Sequence, residues 1–182
     1  MSVLPGKGQS EDQAAAVSFG AMSEIAAADF RHVLGHLPTG VTVLTAHGAD
    51  GPTGMAANSV TSVSLDPPLI LVCPAKSSST WPEIGATGAF CVNIMAEHHA
   101  DLSRTFAMKD TDRFAGVSWH HRPTGPALDE AVAWIECRVR DEHDAGDHTI
   151  VVADVVAIEA TEGAAPLLFF RGGFGAFRDP SV

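Results

Sequence analysis

The chain has 182 residues, a length that suggests one domain, and its hydrophobic and charged fractions of 46% and 18% are ordinary for a globular protein with a core. Eleven basic residues against 22 acidic ones give a net charge of −11, which excludes nucleic acid and anionic lipid as general partners because the surface repels polyanions. No apolar run approaches the roughly 20 residues that span a bilayer and no secretory signal is visible, so we expect a cytoplasmic protein without a membrane partner.

The N-terminal part of the chain predicts a tail and then a helix. Residues 1–21 are rich in Gly, Ser, Gln and Ala, which indicates a disordered tail ahead of one domain over residues 22–178. Ser23 has the character of a helix N-cap, and Pro38 ends the helix. Between them, apolar residues recur at helical spacing and form one stripe: Phe30, Val33, Leu34 and Leu37.

From residue 41 onward the pattern is dominated by strands. Strands are predicted at 41–46, 55–63, 69–73 and 90–95, followed by a helix at 97–107 and two long strands at 133–140 and 150–158. The strand at 150–158 is apolar at nearly every position apart from Asp154, so we expect both of its faces to be covered, in part by another subunit. A last strand at 167–170 precedes a glycine-rich terminal turn at 172–175. Six or more strands with few helices predict an antiparallel barrel with helical decorations.

The cysteines and histidines give no sign of a metal centre. The cysteines lie in apolar runs and are interpreted as core thiols in a reducing compartment: Cys73, Cys91 and Cys137. His32 and His36 have the spacing of a zinc-binding pair on a helix, but no third ligand is evident. The side chains of the adjacent histidines at 98–99 are expected to diverge into solvent. We therefore predict no metal site.

The segment at 54–64 is the first candidate for a binding site. It is a predicted strand rich in Gly, Ala, Ser, Thr and Asn, and such small side chains let a flat heterocycle approach the backbone closely. Backbone N–H and C=O groups can then hydrogen-bond to one edge of the ring, with Asn and Ser side chains as further partners. The alternative interpretation is a polar edge strand that faces solvent.

Two shorter segments are further candidates for ligand binding. Lys76 and the hydroxyl residues at 77–80 can surround a phosphate just ahead of a helix-like stretch at 81–84, although a serine-rich run is also typical of a solvated turn. His148 follows a Gly-Asp turn, and an imidazole at such a loop–strand junction can project into a cleft. The alternative for His148 is a structural role within its own turn.

Taken in chain order, these segments resemble the flavin reductase family with the split-barrel flavin-binding fold, above all the reductase components of two-component flavin-dependent monooxygenases. The likeness extends from about Asp29 to Phe174. It rests on eight segments in the right order: 30–31 with 38–43, 54–59, 62–68, 77–80, 90–93, 112–114, 146–150 and 166–172. In some relatives a tyrosine stands where this chain has Phe169 and Phe170, so any hydroxyl contact made there is lost.

The resemblance implies a mainly β fold, a six-stranded antiparallel Greek-key split barrel with a few flanking helices, that works as a homodimer. It implies that a flavin, FAD or FMN, is bound by residues at 38–40, 55–60 and 76–80 and by one aromatic side chain: Pro38, Thr39, Gly40, Met55, Ala56, Ala57, Asn58, Ser59, Val60, Lys76, Ser77, Ser79, Thr80 and Phe106. Of these, 56–60 would line the isoalloxazine ring and 76–80 would hold the phosphate or ribityl chain. Arg113 and His148 would lie where NADH or NADPH docks, with His148 as the candidate catalytic residue.

The activity implied by the resemblance is that of an NAD(P)H:flavin oxidoreductase that reduces FAD or FMN by hydride transfer and supplies reduced flavin to a separate monooxygenase. Such a reaction needs neither nucleophile nor metal, because the cofactor carries the chemistry and the protein supplies orientation and electrostatics. The alternative is a flavin-binding electron-transfer or carrier protein without nicotinamide turnover, since split barrels also host other functions. The Gly-Asp-His segment at 146–148 favours the reductase.

Overall fold

The computed structural model describes residues 24–161 and 163–178, so the tail predicted at 1–21 lies outside the described residues. These ranges contain the helices α1 (Ala27–Leu34), α2 (Trp81–Ala86) and α3 (Ala100–Ala107), with a 3-10 turn at Glu97–His99 leading into α3. The strands are β1 (Thr39–Gly40), β2 (Thr42–Gly48), β3 (Gly51–Ala57), β4 (Thr61–Leu65), β5 (Pro68–Val72), β6 (Ala89–Ile94), β7 (Trp119–His120), β8 (Ala127–Leu128), β9 (Ala133–Ala145), β10 (His148–Ala160), β11 (Leu167–Phe170) and β12 (Gly173–Ala176). Within these ranges, no helix combines the length and hydropathy needed to cross a membrane.

One seven-stranded antiparallel sheet forms most of the fold, in the order β3-β2-β6-β9-β10-β5-β4. β3 and β4 occupy opposite edges of this sheet, although only residues 58–60 separate them in the chain. Since four residue steps reach at most about 14 Å, the sheet must curl until its two edges come close at that end. The result is a barrel that is split between β3 and β4, which confirms the predicted fold class. The single strand predicted at 55–63 is wrong, because the split divides it in two.

The interior of the curled sheet is apolar, because alternate side chains of each strand point inward. The main cluster of fully buried side chains includes Leu44, Val72, Phe90, Val92 and Val151. A second cluster lies under α3 and includes Val43, Met95, Phe106, Leu128 and Leu167. Among the three cysteines, Cys91 and Cys137 are buried and Cys73 is half-buried, so the predicted core position is confirmed for two of them.

The hairpin of β9 and β10 is longer than the sequence pattern predicted, with 13 residues in each strand. It turns at Gly146, whose φ of 68° favours glycine. Val151 is fully buried, but Val156 and Ile158 at the far end of β10 are 47% and 75% exposed. The two faces of this strand are therefore not both covered within one chain, and cover by a second subunit stays a prediction.

Helix α1 carries its apolar stripe on the outside of the molecule. The helix ends before Pro38, as predicted, while the predicted N-cap Ser23 lies outside the described residues. No residue of α1 is buried, and Phe30, Val33 and Leu37 are between 56% and 63% exposed. The sequence pattern thus predicted the helix, but its apolar side does not pack into this chain's own core.

The glycine-rich C-terminal segment forms a strand. Arg171 and Gly172, with φ values of 50° and 80°, make the tight turn between β11 and β12. β12 then pairs with β11, which also pairs with β1 on its other side. The terminal turn predicted at 172–175 is therefore wrong from Gly173 onward, because the chain completes its reversal within two residues.

Candidate functional site

Two adjoining cavities meet at the link between β3 and β4 and share Asn58 and Phe169 as lining residues. The larger cavity, about 990 Å³, lies beside α1, and its lining includes Phe30, Arg31, Leu34, Thr39 and Arg171. The smaller cavity, about 240 Å³, lies between β3 and α3 and is also lined by Val41, Ala56, Ala57, Ser103, Ala107 and Phe174. The two together form the cleft, and the larger cavity lies at the upper end of the range of roughly 300–1,000 Å³ that is typical of small-molecule and cofactor sites.

β3 borders the smaller cavity as an edge strand. Within residues 24–161 and 163–178 it pairs with β2 alone, and Val43 stands opposite Ala56 in that register. Backbone groups on its other side therefore face no partner strand, and apart from the Gly54 carbonyl, which accepts a hydrogen bond from Arg113, they are available to a ligand. Ala56 and Ala57 are small and only partly exposed, so a flat ring can lie close to the strand. The two interpretations of this segment are thus compatible, because the strand lies at an edge and that edge borders a cavity.

The hydroxyl loop, residues 76–80, lies directly beside β3. Ser78 fixes its shape, since Ser78 Oγ accepts hydrogen bonds from the backbone N–H groups of Thr80 at 3.2 Å and Trp81 at 3.1 Å. The same hydroxyl lies 3.7 Å from the sulfur of Met55 on β3. Ser78 therefore links the segment predicted to hold a phosphate to the segment predicted to line a ring.

The other side chains of the hydroxyl loop differ in exposure. Ser77 and Ser79 are exposed, whereas Thr80 is buried with 6% of its surface accessible. Lys76 Nζ forms an ion pair with Asp144 Oδ1 at 2.8 Å. This contact lowers the pKa of the Asp144 carboxyl, chiefly through the hydrogen bond from Lys76. The loop therefore presents two accessible hydroxyls and an ammonium group on one surface.

Arg113 ties the hydroxyl loop to β3. Its Nη1 donates hydrogen bonds to Thr80 Oγ1 at 2.9 Å and to the Gly54 carbonyl at 3.2 Å. Its Nε and Nη2 both donate to the Met108 carbonyl. The predicted role of Arg113 in nicotinamide binding stays a prediction, and the structure places its guanidinium against the hydroxyl of Thr80. Sequence reasoning missed this contact because it joins residues 33 positions apart, which no local pattern records.

His148 lies at the end of the hydroxyl loop, outside the walls of the two cavities. It forms an isolated β-bridge with Ala75, and the Asp147 carbonyl accepts the Lys76 N–H at 2.9 Å. The His148 ring lies with Nδ1 2.7 Å from Asp147 Oδ1, and this hydrogen bond lowers the pKa of the Asp147 carboxyl. The charge of Arg31 also lowers the pKa of this carboxyl, by less than His148 does.

Two predicted flavin contacts have other partners in the structure. Ser59 Oγ accepts the Cys73 N–H at 2.9 Å and so fastens the β3–β4 link to the end of β5. Phe106 is only 1% exposed and packs edge-on against Phe114 at 5.2 Å, within the second core cluster. Neither side chain is presented to the cleft, so both support its walls.

The remaining predicted residues surround the cleft. Thr39 lines the larger cavity, while its neighbours Pro38 and Gly40 are exposed at the same turn. Met55 and Val60 pack in part against the main core cluster. Their side chains anchor the segment at 55–60 from behind, which leaves its backbone as the surface for a ligand.

A histidine and carboxylate cluster has the composition of a metal site. Ligand atoms of His98, His99 and Glu130 lie within 4.8 Å of one another. The rings of His98 and His99 have centroids 4.1 Å apart, so the divergence expected for this pair is wrong. His99 Nδ1 accepts the Ala96 N–H at 3.3 Å, which leaves the proton of the neutral ring on Nε2. Metal binding at Nε2 would need the other tautomer and would cost this hydrogen bond.

The fold and the cleft define a split-barrel protein with an open strand edge beside a hydroxyl and arginine cluster. The chain belongs to the flavin reductase family, since the model of the flavin reductase like domain matches residues 34–178. A flavin reductase of Pseudomonas putida is 43% identical over 150 residues, which cover 81% of this chain and 88% of the relative. The reductase subunit HsaB of a flavin-dependent monooxygenase from Mycobacterium tuberculosis is 42% identical over 148 residues, 80% of this chain and 79% of the relative.

A solved structure extends the likeness to the fold. The NADH:FAD oxidoreductase of Streptomyces globisporus, solved in complex with NAD and FAD fragments, is 35% identical to this chain. It superimposes with a TM-score of 0.80 over 85% of this chain and 94% of its own. The resemblance that the eight sequence segments indicated is therefore confirmed.

Proposed function

We propose that this protein is an NAD(P)H-dependent flavin reductase that reduces FAD or FMN by hydride transfer and passes reduced flavin to a separate monooxygenase. The observation that carries the proposal is the open edge of β3 next to the hydroxyl loop and Arg113. The β3 edge that borders the smaller cavity can take a flat polar ring, and the hydroxyl loop and Arg113 beside the same strand can take a phosphate. A relative described as an NADH:FAD oxidoreductase supports a nicotinamide donor and a flavin acceptor, and one described as the reductase subunit of a monooxygenase supports the monooxygenase as partner.

The hydroxyl loop and Arg113 are proposed to hold the flavin phosphate. Ser77 and Ser79 can donate hydrogen bonds from exposed hydroxyls, and Thr80 already shares a hydrogen bond with Arg113. Lys76 can exchange the exposed Asp144 carboxylate for a phosphate oxygen. Hydrogen bonds to ionised phosphate are roughly twice as strong as neutral ones. A local cluster of this kind is what a chain of net charge −11 needs in order to retain an anionic ligand.

The isoalloxazine ring is proposed to lie in the smaller cavity against β3. Ala56 and Ala57 leave room for the ring, and Asn58 stands where the two cavities meet. Phe106 acts from behind the strand, because a Cβ placed on Gly54 would lie 2.9 Å from its ring. The ring thus meets a strand that is braced by the core, which keeps the hydrogen-bonding groups in place.

The nicotinamide nucleotide is proposed to dock in the larger cavity, where Arg31 and Arg171 supply positive charge. Hydride transfer from nicotinamide C4 to flavin N5 would require the cleft to hold these two atoms about 3–3.5 Å apart, the separation at which positioning contributes most. The chain's own part is to align the two rings. His148, held by Asp147, lies beyond the walls of this cavity, so it is proposed to orient the nicotinamide nucleotide from outside them. It donates no proton, since hydride transfer needs no acid.

A homodimer is proposed to cover the apolar surface that one chain leaves open. This surface comprises the part of α1 that does not line the larger cavity and the far end of β10, with Val33, Val156 and Ile158 all at least 47% exposed. Scattered apolar residues are normal on a monomer, but a helix with no buried residue lacks the packing that stabilises most helices. Light scattering should give the mass of a dimer at micromolar concentration, and a monomer mass would contradict this inference.

Three free thiols also support the cytoplasmic location that we propose. Cys73, Cys91 and Cys137 are unpaired in the structure. Proteins of oxidising compartments usually pair their cysteines, whereas reduced thiols persist in the cytosol.

The proposed function is tested by steady-state kinetics with FAD and FMN against NADH and NADPH, followed at the NADH absorbance band. A Ser79→Ala, Thr80→Ala double variant should bind FMN about tenfold or more weakly and keep its fold, because each hydrogen bond to a charged acceptor contributes roughly 1.5–3 kcal/mol. Ser118→Ala, which removes an exposed hydroxyl outside the loop, is the matched control. Unchanged FMN affinity in the double variant would refute the phosphate assignment. Flavin binding without nicotinamide oxidation would favour the carrier protein instead.

A further inference from the structure

Two hydroxyl groups at the cleft lack a hydrogen-bond partner. In the described residues, three buried side-chain polar atoms have none: Thr39 Oγ1, Ser103 Oγ and Arg122 Nε. Thr39 lines the larger cavity and Ser103 the smaller one. Buried polar groups in native proteins are almost always paired, so each exception needs an explanation. That two of the three lie along the cleft points to a ligand as the missing partner.

Ser103 is the clearer of the two, since it is only 1% exposed and sits in the middle of α3. A hydroxyl in a helix usually bonds to the carbonyl four residues earlier. Thr105 on the same helix does so, with its Oγ1 donating to the Asp101 carbonyl at 3.2 Å. Ser103 has no such bond. The helix therefore carries one hydroxyl that is satisfied internally and one that is not.

The surroundings of Ser103 single it out chemically. The smaller cavity is otherwise lined by apolar side chains, and its polar side chains are those of Ser103 and Asn58. Ligand pockets of this type use a few polar groups to fix orientation while apolar walls contribute affinity. A rotation about χ1 carries the hydroxyl between staggered positions without any movement of the backbone. Ser103 is thus placed opposite the β3 edge, across the space in which a flat ring fits.

We propose that Ser103 is a flavin-binding residue whose hydroxyl hydrogen-bonds to the polar pyrimidine edge of the isoalloxazine ring. This inference rests on the proposed function and adds to it the orientation of the ring. Nitrogen and oxygen atoms of that edge meet Ser103 and Asn58, while the dimethylbenzene edge meets apolar walls such as Phe174. The reverse orientation would leave both polar side chains against methyl groups, with their hydrogen bonds unmade.

The test compares Ser103→Ala with Thr105→Ala in two measurements, thermal unfolding without flavin and flavin affinity by fluorescence quenching. Because Ser103 Oγ has no partner in the flavin-free protein, Ser103→Ala should leave the melting temperature unchanged or raise it. Its Kd for FMN should rise about tenfold, the effect of one lost hydrogen bond. Thr105→Ala should leave the Kd for FMN within twofold of the wild type.

Riboflavin separates the ring contact from the phosphate contact. Ser103→Ala should weaken riboflavin and FMN by the same factor, whereas the Ser79→Ala, Thr80→Ala variant should weaken FMN alone. An unchanged Kd in Ser103→Ala, whatever the melting temperature of the variant, would overturn the inference and leave the proposed function standing. A wild-type protein that binds neither FMN nor riboflavin would overturn both.

Discussion

Gly54 lies on β3 at the point where the strand is packed on both sides, and its replacement tests the geometry of the site. A Cβ at this position would stand 2.9 Å from the Leu44 carbonyl oxygen, 2.9 Å from Phe106 Cε1 and 3.2 Å from Thr45 Cγ2. The Leu44 carbonyl belongs to the paired strand β2 and cannot yield without disturbing the ladder. Overpacking of this kind costs roughly 1–3 kcal/mol, and we expect about 2 kcal/mol for Gly54→Ala.

The expected loss corresponds to a fall in melting temperature of roughly 4–8 °C for a chain of this length. Gly175→Ala is the matched control, since a Cβ there meets nothing within 4 Å. Both substitutions restrict the unfolded chain equally, so the difference between them isolates the folded-state contacts. Gly54→Ala should also bind flavin more weakly, because the Gly54 carbonyl accepts a hydrogen bond from Arg113 and a shift of the strand would disturb that contact. Equal melting temperatures for the two variants, measured by circular dichroism, would refute the reasoning.

Other predictions concern the same region and the core. Arg113→Lys keeps the charge but loses the forked contact between the hydroxyl loop and β3. Flavin titration should therefore show an affinity about tenfold lower, and an unchanged affinity would contradict a role of Arg113 in flavin binding. His148→Ala should raise the nicotinamide KM and lower kcat/KM about 10- to 100-fold, with a smaller effect on flavin affinity. A variant with the kcat/KM of the wild type would exclude a role of His148 in orienting the nicotinamide. Burial raises the pKa values of Cys91 and Cys137 to about 12, so both thiols stay protonated at pH 8. A thiol reagent should therefore label Cys73 alone in the folded protein, and fast labelling of two or more cysteines would contradict this prediction.

The sequence predicted those features of the fold that are recorded locally. The alternation of apolar and polar residues along 133–140 indicated β9, and the turn before His148 indicated the hairpin. The break at 58–60 was missed because the composition is continuous across it. Sheet topology creates that break, since β3 and β4 pair with different strands, and this information is distributed over the whole chain.

In the candidate site, too, the residues that lie in short local runs were predicted, and those contributed by distant parts of the chain were not. The hydroxyl loop and the small residues of β3 were predicted from short runs, and the structure brings them together through Ser78 and Met55. The contacts of Arg113 with Thr80 and Gly54 were not predicted, and Ser103 was not singled out at all, because both residues reach the site from elements far along the chain. The burial of Phe106 was equally unreadable, since an aromatic residue on a helix has the same pattern whether it faces a ligand or a core.

The short connection at 58–60 also positions a side chain that lines the cleft. The link joins β3 and β4, the two edge strands of the sheet, and it reaches no further than about 14 Å. Ser59, bonded to Cys73, shortens the working length of that tether. The tether therefore holds Asn58, which lines both cavities, at a defined position relative to Ala56 and Ala57. The placement of this polar side chain is in this sense a property of chain connectivity, and lengthening the link by a few residues should release Asn58 and weaken the binding of a ring beside β3.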